Sequence, residues 1–303
     1  MAAKTALPEV GVCSTRPSLT SETGVDTLRL LFETDRPLPP GVHEADGWAI
    51  GSIPALGITW AEGHPSPGGL ATPSEVNRAG ERVRGLLDST LGVRRDRGVS
   101  RADLTTTQPF DRECEARAFL AGMAALELPR CDTIVRGRPA HSIAWANVKG
   151  RRLLARAYDK GRELGGEAFQ SVRLEDQRRY RSGGRPMLDV VADADFQRAQ
   201  FEQRFAPMRK AVEGLKVASF PVIAQALADE VKYGYRSATE AERLAGALII
   251  IGGGGGEGYS RATLYRRRAQ LREAGYVVAP DWLDTVEVEL GDVLERAVAE
   301  FGT

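Results

Sequence analysis

Residues 153–164 read Leu153-Leu154-Ala155-Arg156-Ala157-Tyr158-Asp159-Lys160-Gly161-Arg162-Glu163-Leu164. The apolar run at the start of this stretch predicts a strand over 151–158, and residues 142–146 predict the strand before it. A turn at 147–150 joins the two. A further strand follows at 171–180, where Val172 and Leu174 alternate with Arg173 and Glu175. This part of the chain therefore predicts neighbouring antiparallel strands.

The remaining segments extend this pattern in both directions. Strands are predicted at 25–32 and 99–107, a short hairpin at 47–60, and helices at 74–91 and 111–126. Beyond about residue 207 the chain predicts helices at 208–215, 220–233, 238–251 and 260–275. The fold class is therefore α+β, a mostly antiparallel central sheet with flanking helices, followed by a smaller helical, helix-turn-helix-like C-terminal region. The predicted units are a loose leader over 1–24, a main domain over 25–205 and a helical region over 206–303.

Composition limits the function classes only weakly. The chain has 303 residues, of which 42% are hydrophobic, and its 41 basic and 41 acidic residues give a formal net charge of zero. A nucleic-acid binder of this composition needs a locally basic surface. Three cysteines without metal-type spacing favour a reducing compartment. The sequence predicts neither a signal peptide nor a membrane span, so we expect a cytoplasmic protein without membrane partners.

A metal site in this chain would use oxygen ligands. The three histidines, His43, His64 and His141, are far apart in the sequence, which disfavours a local histidine metal motif. Asp103 and Glu175 lie on two predicted strands of one sheet, and Glu163 is a third candidate. Such a set of carboxylates favours Mg²⁺ or Mn²⁺. The alternative is that Asp103 and Glu175 form ion pairs on an exposed strand face with arginines two residues away.

Tyr158 is a candidate nucleophile because of the residues that follow it. Lys160 shares its face if the strand continues. A phenol with a pKa of about 10 attacks poorly at neutral pH, and a nearby cation together with a metal-polarised phosphate would make it competent. The alternative is a core tyrosine, buried among Leu153, Leu154 and Trp145.

Basic residues are concentrated in two places. Between residues 151 and 185 they outnumber the acidic ones, which predicts either a groove that follows a DNA backbone or a solvated surface. The helix over 260–275 predicts either a DNA-contacting helix or an ordinary surface helix. The candidate DNA-binding residues are Arg101, Arg156, Arg162, Arg173, Arg261, Arg266, Arg267 and Arg268.

Several motifs together resemble those of the filamentous-phage gene II/X-type replication initiators, a family of phage and plasmid rolling-circle replication initiators. The motifs are Val99-Ser100-Arg101-Ala102-Asp103, Ala157-Tyr158-Asp159-Lys160-Gly161-Arg162-Glu163-Leu164 and Val172-Arg173-Leu174-Glu175, in that order. Glu62-Gly63-His64-Pro65-Ser66 is similar to the Gly-rich segment before the family's first helix, and residues 260–275 are similar to a segment near its end. Each motif is short, so their order and spacing carry the resemblance.

The resemblance implies a site-specific DNA nickase and strand transferase over 25–205, with a DNA-binding or accessory region after it. Tyr158 would attack an origin phosphodiester and form a 5′-phosphotyrosine, which leaves a 3′-hydroxyl for the host polymerase. Asp103 and Glu175, with Glu163 as a weaker ligand, would hold Mg²⁺ or Mn²⁺, and Lys160 would neutralise the phosphate. The implied partners are origin DNA and the host replication helicase and polymerase, with a homodimer as a possible assembly.

The chain departs from the resembled pattern, first in its difference from the broader group of rolling-circle initiators and relaxases. It lacks their metal motif of two histidines separated by a hydrophobic residue, which fits a carboxylate site instead. Two other functions remain open. One is a DNA-binding regulator on the same fold without catalysis, and the other is a conjugative relaxase that uses the same chemistry. The chain is also short for the phage type, and it has no obvious second catalytic tyrosine. Tyr180 is the nearest candidate, and the favoured alternative is that Tyr180 contacts DNA or packs.

Overall fold

The structure is a computed structural model that describes residues 21–301 except 37, 40, 68, 138–139, 149–152, 161–170, 253–257 and 280–284. Its main element is an antiparallel sheet in the order β2-β3-β4-β1-β5-β9-β8-β7-β6. The nine strands are β1 Glu22–Thr34, β2 His43–Ala45, β3 Trp48–Ile53, β4 Ile58–Gly63, β5 Val93–Pro109, β6 Cys131–Arg136, β7 Ser142–Asn147, β8 Leu153–Asp159 and β9 Ser171–Arg179. β5 and β9 lie in the middle of the sheet, with other strands on both sides of them.

Eight helices are described together with a small second sheet. The helices are α1 Pro73–Leu91, α2 Glu113–Ala124, α3 Leu188–Val191, α4 Ala194–Val212, α5 Phe220–Lys232, α6 Ala238–Gly252, α7 Arg261–Glu273 and α8 Leu290–Ala299. The small sheet has the order β11-β10-β12, from β10 Lys216–Ala218, β11 Tyr276–Val278 and β12 Glu287–Glu289. β10 pairs in parallel with β11 and antiparallel with β12.

Local sequence explains where the longer helices begin. Thr72 and Glu75 form a capping box at the start of α1, with Pro73 in the first turn. The Asp193 side chain accepts a hydrogen bond from the Phe196 N–H at the start of α4. Ser260 does the same for Thr263 in α7. These oxygens satisfy N–H groups that have no partner within the helix.

Helices cover one face of the large sheet, because apolar and polar side chains alternate along its strands. Leu104 of β5 and Leu174 of β9 lie in the main hydrophobic cluster with Phe119 of α2 and Phe201 of α4. The Phe201 ring also stacks on Phe301, with centroids 4.5 Å apart. Residues one position along these strands point to the opposite face, and many of them are charged. The large sheet therefore has an apolar face and a polar face.

A second, smaller hydrophobic cluster forms between α5, α6, α7 and β11. Its fully or almost fully buried members include Ile223, Leu244, Leu248 and Leu271. α8 instead packs against α4 and β5, so the chain returns to the main core after the small cluster. No helix among the described residues is both long and apolar enough to cross a membrane.

The predicted α+β class, with an antiparallel central sheet and a smaller helical C-terminal region, is confirmed. Two boundaries differ in detail from the expectation. Residues 22–24, which we predicted as the end of a leader, belong to β1, and residue 205 lies inside the continuous helix α4. Phe205 is fully buried in the main core. The division of the chain at 205 into separate units stays a prediction.

Candidate functional site

Three residues from three different strands share the polar face of the large sheet. β8 pairs with β9 so that Arg156 lies opposite Glu175, and β9 pairs with β5 so that Glu175 lies opposite Thr105. Tyr158 and Asp103 lie two residues from these partners, so their side chains point the same way. The registers thus bring Tyr158, Glu175 and Asp103 to one face of three adjacent strands.

Glu175 is the centre of this group. Its side chain is fully buried. Arg156 Nη2 donates to Oε2 over 2.5 Å, and Gln177 Nε2 donates to Oε1 over 2.6 Å. The Tyr158 hydroxyl donates to Oε2 over 3.4 Å. A buried carboxylate needs such partners because it has lost its water.

Tyr158 is buried, but not in the hydrophobic core. Only 6% of the residue is exposed, and its ring lies 5.1 Å from the Arg156 guanidinium carbon. Trp145 of β7 lies opposite Ala155 in the register, so it projects from the apolar face. Tyr158 is therefore buried, as expected of a core tyrosine, but it lies among the side chains of the polar face and not in the hydrophobic core. A DNA phosphate reaches the hydroxyl only after the side chains that cover it move.

Asp103 is held by one arginine. Arg101 Nε donates to Oδ1 over 2.9 Å, and Arg101 Nη2 donates to Oδ2. Burial raises the pKa of Asp103 to about 6, Arg101 opposes that rise, and the charge of Glu175 adds to it. Two buried carboxylates near each other disfavour double ionisation unless cations lie between or beside them.

The charges continue across the sheet beyond Asp103. Arg101 Nη1 donates to Glu62 Oε1 over 2.8 Å, and Arg29 Nε also donates to Glu62. The Arg29 guanidinium carbon lies 4.8 Å from the Trp60 ring centroid. Sequence reasoning missed Glu62, Arg29 and Gln177 as members of this face. Their strand parity carried a signal, but joining them to Asp103 required the registers of β1 and β4.

Lys160 and Arg173 lie at one end of the polar face. Both line a cleft of about 730 Å³, together with Asp26, His64 and Thr107. Arg173 Nε donates to Thr107 Oγ1 over 3.2 Å, and Arg173 Nη1 lies 3.5 Å from Asp26 Oδ1. The structure therefore places the predicted phosphate-neutralising residue, Lys160, next to a space open to solvent. Arg173 pairs with Asp26 here and not with Glu175, the acid two residues away on its own strand.

The arginines of α7 lie elsewhere. Arg261, Arg266 and Arg268 are exposed, and Arg267 is half-buried with Nη1 3.0 Å from Gln270 Oε1. The Tyr265 hydroxyl lies 3.3 Å from Glu127 Oε2, which ties α7 to the segment after α2. The main described contacts of α7 are with α6 and β11, and α7 also touches the segment after α2. Any DNA contact of α7 therefore involves a second surface.

Two predicted site residues, Arg162 and Glu163, lie outside the described residues. Among the described residues no group of three or more His, Cys, Asp or Glu side chains could hold a metal ion. Mg²⁺, however, commonly binds through one or two carboxylates and keeps water or substrate phosphate as its other ligands. Asp103 and Glu175 fit that requirement in kind and in facing direction. Arg101 and Arg156, which hold these carboxylates now, would have to move for a cation to bind.

In comparisons with protein-family models and with curated proteins, the chain matches none. The likeness to replication initiators therefore rests on the motifs quoted above and stays an expectation. The architecture is defined independently of that likeness, as an α+β fold whose polar sheet face carries a buried tyrosine, two buried carboxylates and their arginines.

Proposed function

We propose that this protein is a DNA nickase and strand transferase that initiates rolling-circle replication, with Tyr158 as the nucleophile. The observation that supports this most is the convergence of Tyr158, Glu175 and Asp103 on one sheet face. Asp103 comes from a motif distant in the sequence from the two that carry Tyr158 and Glu175. A phenol, two carboxylates and two guanidiniums are the groups that an attack on a phosphodiester needs.

In the proposed reaction the Tyr158 oxygen attacks the phosphorus of a DNA phosphodiester. The new bond joins phosphorus to the tyrosine oxygen, and the bond from phosphorus to the 3′-oxygen breaks. Glu175 Oε2 accepts a hydrogen bond from the Tyr158 hydroxyl, so it is suited to receive the phenolic proton. The 3′-oxygen leaves as a hydroxyl after taking a proton from solvent. Reversal of these steps by a 3′-hydroxyl rejoins the strand.

Cations of the chain would stabilise the charge on the phosphate. Arg156 lies over the Tyr158 ring and already contacts Glu175, and Lys160 lies at the edge of the adjoining cleft. Asp103 and Glu175, with Glu163, would hold a divalent cation, Mg²⁺ or Mn²⁺, which when bound supplies Lewis-acid polarisation of the phosphate. We propose origin DNA as the substrate, the host helicase and polymerase as the users of the 3′-hydroxyl, and the cytoplasm as the compartment.

A second function is favoured by a specific observation. Both carboxylates are already neutralised by arginines, Asp103 by Arg101 and Glu175 by Arg156, and Tyr158 is almost fully buried. A DNA-binding regulator without catalysis would keep this arrangement as a permanent part of the fold. It predicts DNA binding that salt weakens and no strand cleavage with either cation.

Covalent capture of DNA separates the two functions. The protein is incubated with a random-sequence pool of labelled single-stranded oligonucleotides and Mn²⁺ or Mg²⁺, and adducts that survive denaturation are counted on a gel. We expect adducts with the wild type and none with Tyr158→Phe. That variant should fold, since it removes only the hydroxyl and Glu175 keeps its hydrogen bonds from Arg156 and Gln177.

Tyr180→Phe is the matched control for this experiment. Tyr180 follows β9, and its buried hydroxyl has no hydrogen-bond partner among the described residues. It should form adducts at the wild-type level. Adducts formed by Tyr158→Phe would exclude Tyr158 as the nucleophile. A wild type that binds the pool yet yields no adduct would favour the regulator.

A further inference from the structure

One edge of the large sheet ends in a strand with a long exposed side. β6 is the last strand in the sheet order, and its residues Ile134 and Val135 are 46% and 45% exposed. The opposite edge, β2, has only 3 residues. An exposed edge strand presents unpaired N–H and C=O groups, which serve as a template for another strand.

The hydrogen-bond pattern identifies which backbone groups of β6 face outward. The Asp159 N–H donates to His141 O over 2.9 Å, and the Val148 N–H donates to Arg130 O over 3.3 Å. Because pairs alternate in an antiparallel ladder, odd-numbered residues of β7 bond to β8 and even-numbered ones bond to β6. Within β6, the N–H and C=O groups of Thr133 and Val135 therefore point to the free edge.

The side chains of β6 have a self-complementary order. The strand reads Asp132-Thr133-Ile134-Val135-Arg136, with an acid at one end and a base at the other. If a second copy pairs antiparallel about Ile134, each Asp132 lies opposite the other copy's Arg136, and the two Ile134 side chains face each other. In the same register the outward groups of Thr133 meet those of Val135. Backbone, charge and apolar contacts thus agree on one register.

The charged side chains of this strand are available for such pairing. All of Asp132, Ile134, Val135 and Arg136 are exposed. Within the described part of the chain, neither the Asp132 carboxylate nor the Arg136 guanidinium has a hydrogen-bond or ion-pair partner. Opposite charges that face each other across a ladder stabilise it, whereas like charges destabilise it.

We infer that β6 is a dimerisation strand, through which two copies of this chain join their sheets edge to edge about a two-fold axis at Ile134. A two-fold contact requires a surface complementary to itself, and the order of charges in β6 has that property. The interface lies at the opposite edge of the sheet from β2 and makes no use of Tyr158, Glu175 or Asp103. The inference is therefore independent of the proposed function.

Charge reversal tests the register. Sedimentation equilibrium over a wide range of concentration should show a dimer for the wild type. Asp132→Arg and Arg136→Asp, each alone, should raise the dimer Kd by about tenfold or more, because like charges then face each other. The double variant Asp132→Arg/Arg136→Asp should restore the wild-type Kd. A monomeric wild type at all concentrations would overturn the inference, and so would a double variant no better than the single ones.

Cross-linking tests the axis itself. Facing residues of a non-hydrogen-bonded pair have Cα atoms about 4.5 Å apart, within the range of a disulfide. Under mild oxidation Ile134→Cys should therefore give a covalent dimer. Val135→Cys is the matched control, because it is equally exposed but faces Thr133 of the other copy. Equal cross-linking of the two variants, or none with Ile134→Cys, would contradict the proposed axis.

Discussion

The cost of burying Asp103 predicts a stability change that depends on pH. Burial raises its pKa from 3.8 to about 6, and its side chain is only 2% exposed. The folded chain then holds this proton more tightly than the unfolded chain does, so the free energy of unfolding falls as pH rises through this window. At 1.36 kcal/mol per pKa unit, the full loss is about 3 kcal/mol.

Asp103→Asn removes this titration and keeps the shape of the side chain. In the wild type, about 1 kcal/mol of this fall in the free energy of unfolding has already occurred at about pH 4.5. About 2 kcal/mol of the fall therefore takes place between about pH 4.5 and 7.5. The free energy of unfolding of the variant minus that of the wild type should therefore rise by about 2 kcal/mol over this range. The expected sign is a relative gain for the variant at the higher pH, where the wild type carries a buried charge.

Urea unfolding followed by circular dichroism at the two pH values measures this difference. Asp46→Asn is the control, because the Asp46 side chain is 57% exposed and water solvates it in both states. The free energy of unfolding of Asp46→Asn minus that of the wild type should be nearly the same at both pH values. If the Asp103→Asn difference is also the same at both pH values, burial does not govern the ionisation of Asp103.

Three further predictions concern the core, strand β5 and α7. Arg204→Ala should lower the free energy of unfolding by about 2 kcal/mol in urea, because it leaves the fully buried Asp176 with one ion-pair partner fewer. Gly98→Ala should lower the free energy of unfolding by at least about 1 kcal/mol, since Gly98 has φ +76° and an added Cβ would lie 2.6 Å from a backbone oxygen. Gly85→Ala should raise it, because Gly85 lies within α1 and an added Cβ would meet no atom within 4 Å. Arg266→Ala should weaken DNA binding and reduce the slope of log affinity against log salt by about 1, measured by fluorescence anisotropy, if α7 contacts phosphates; an unchanged slope would exclude that contact.

Strand alternation made much of the sheet predictable. The alternation of Val172 and Leu174 with Arg173 and Glu175 predicted both the strand and its two faces, and the helix predicted at 74–91 corresponds to α1. β6 was missed because an exposed edge strand has no apolar face to repeat every second residue. The length of α4 and the whole of α8 were also missed, since both depend on contacts with distant parts of the chain.

The sequence predicted which side chains of the site share a sheet face, but not which residues on neighbouring strands they contact. Period-two alternation indicated that Tyr158 and Lys160 share a face, and the spacing of Arg101 and Asp103 indicated their ion pair, which the structure confirms. The same spacing does not pair Arg173 with Glu175. Glu175 takes its arginine, Arg156, from the neighbouring strand. Cross-strand partners depend on register, which the pattern of one strand does not specify.

Locating the covalent bond tests directly whether Tyr158 attacks DNA. The adduct formed with the oligonucleotide pool is digested with protease and nuclease, and the modified peptide is identified by mass spectrometry. We expect a nucleotide attached through its 5′-phosphate to Tyr158, which lies near the end of β8 beside Glu175. A nucleotide on any other residue, Tyr180 included, would contradict it.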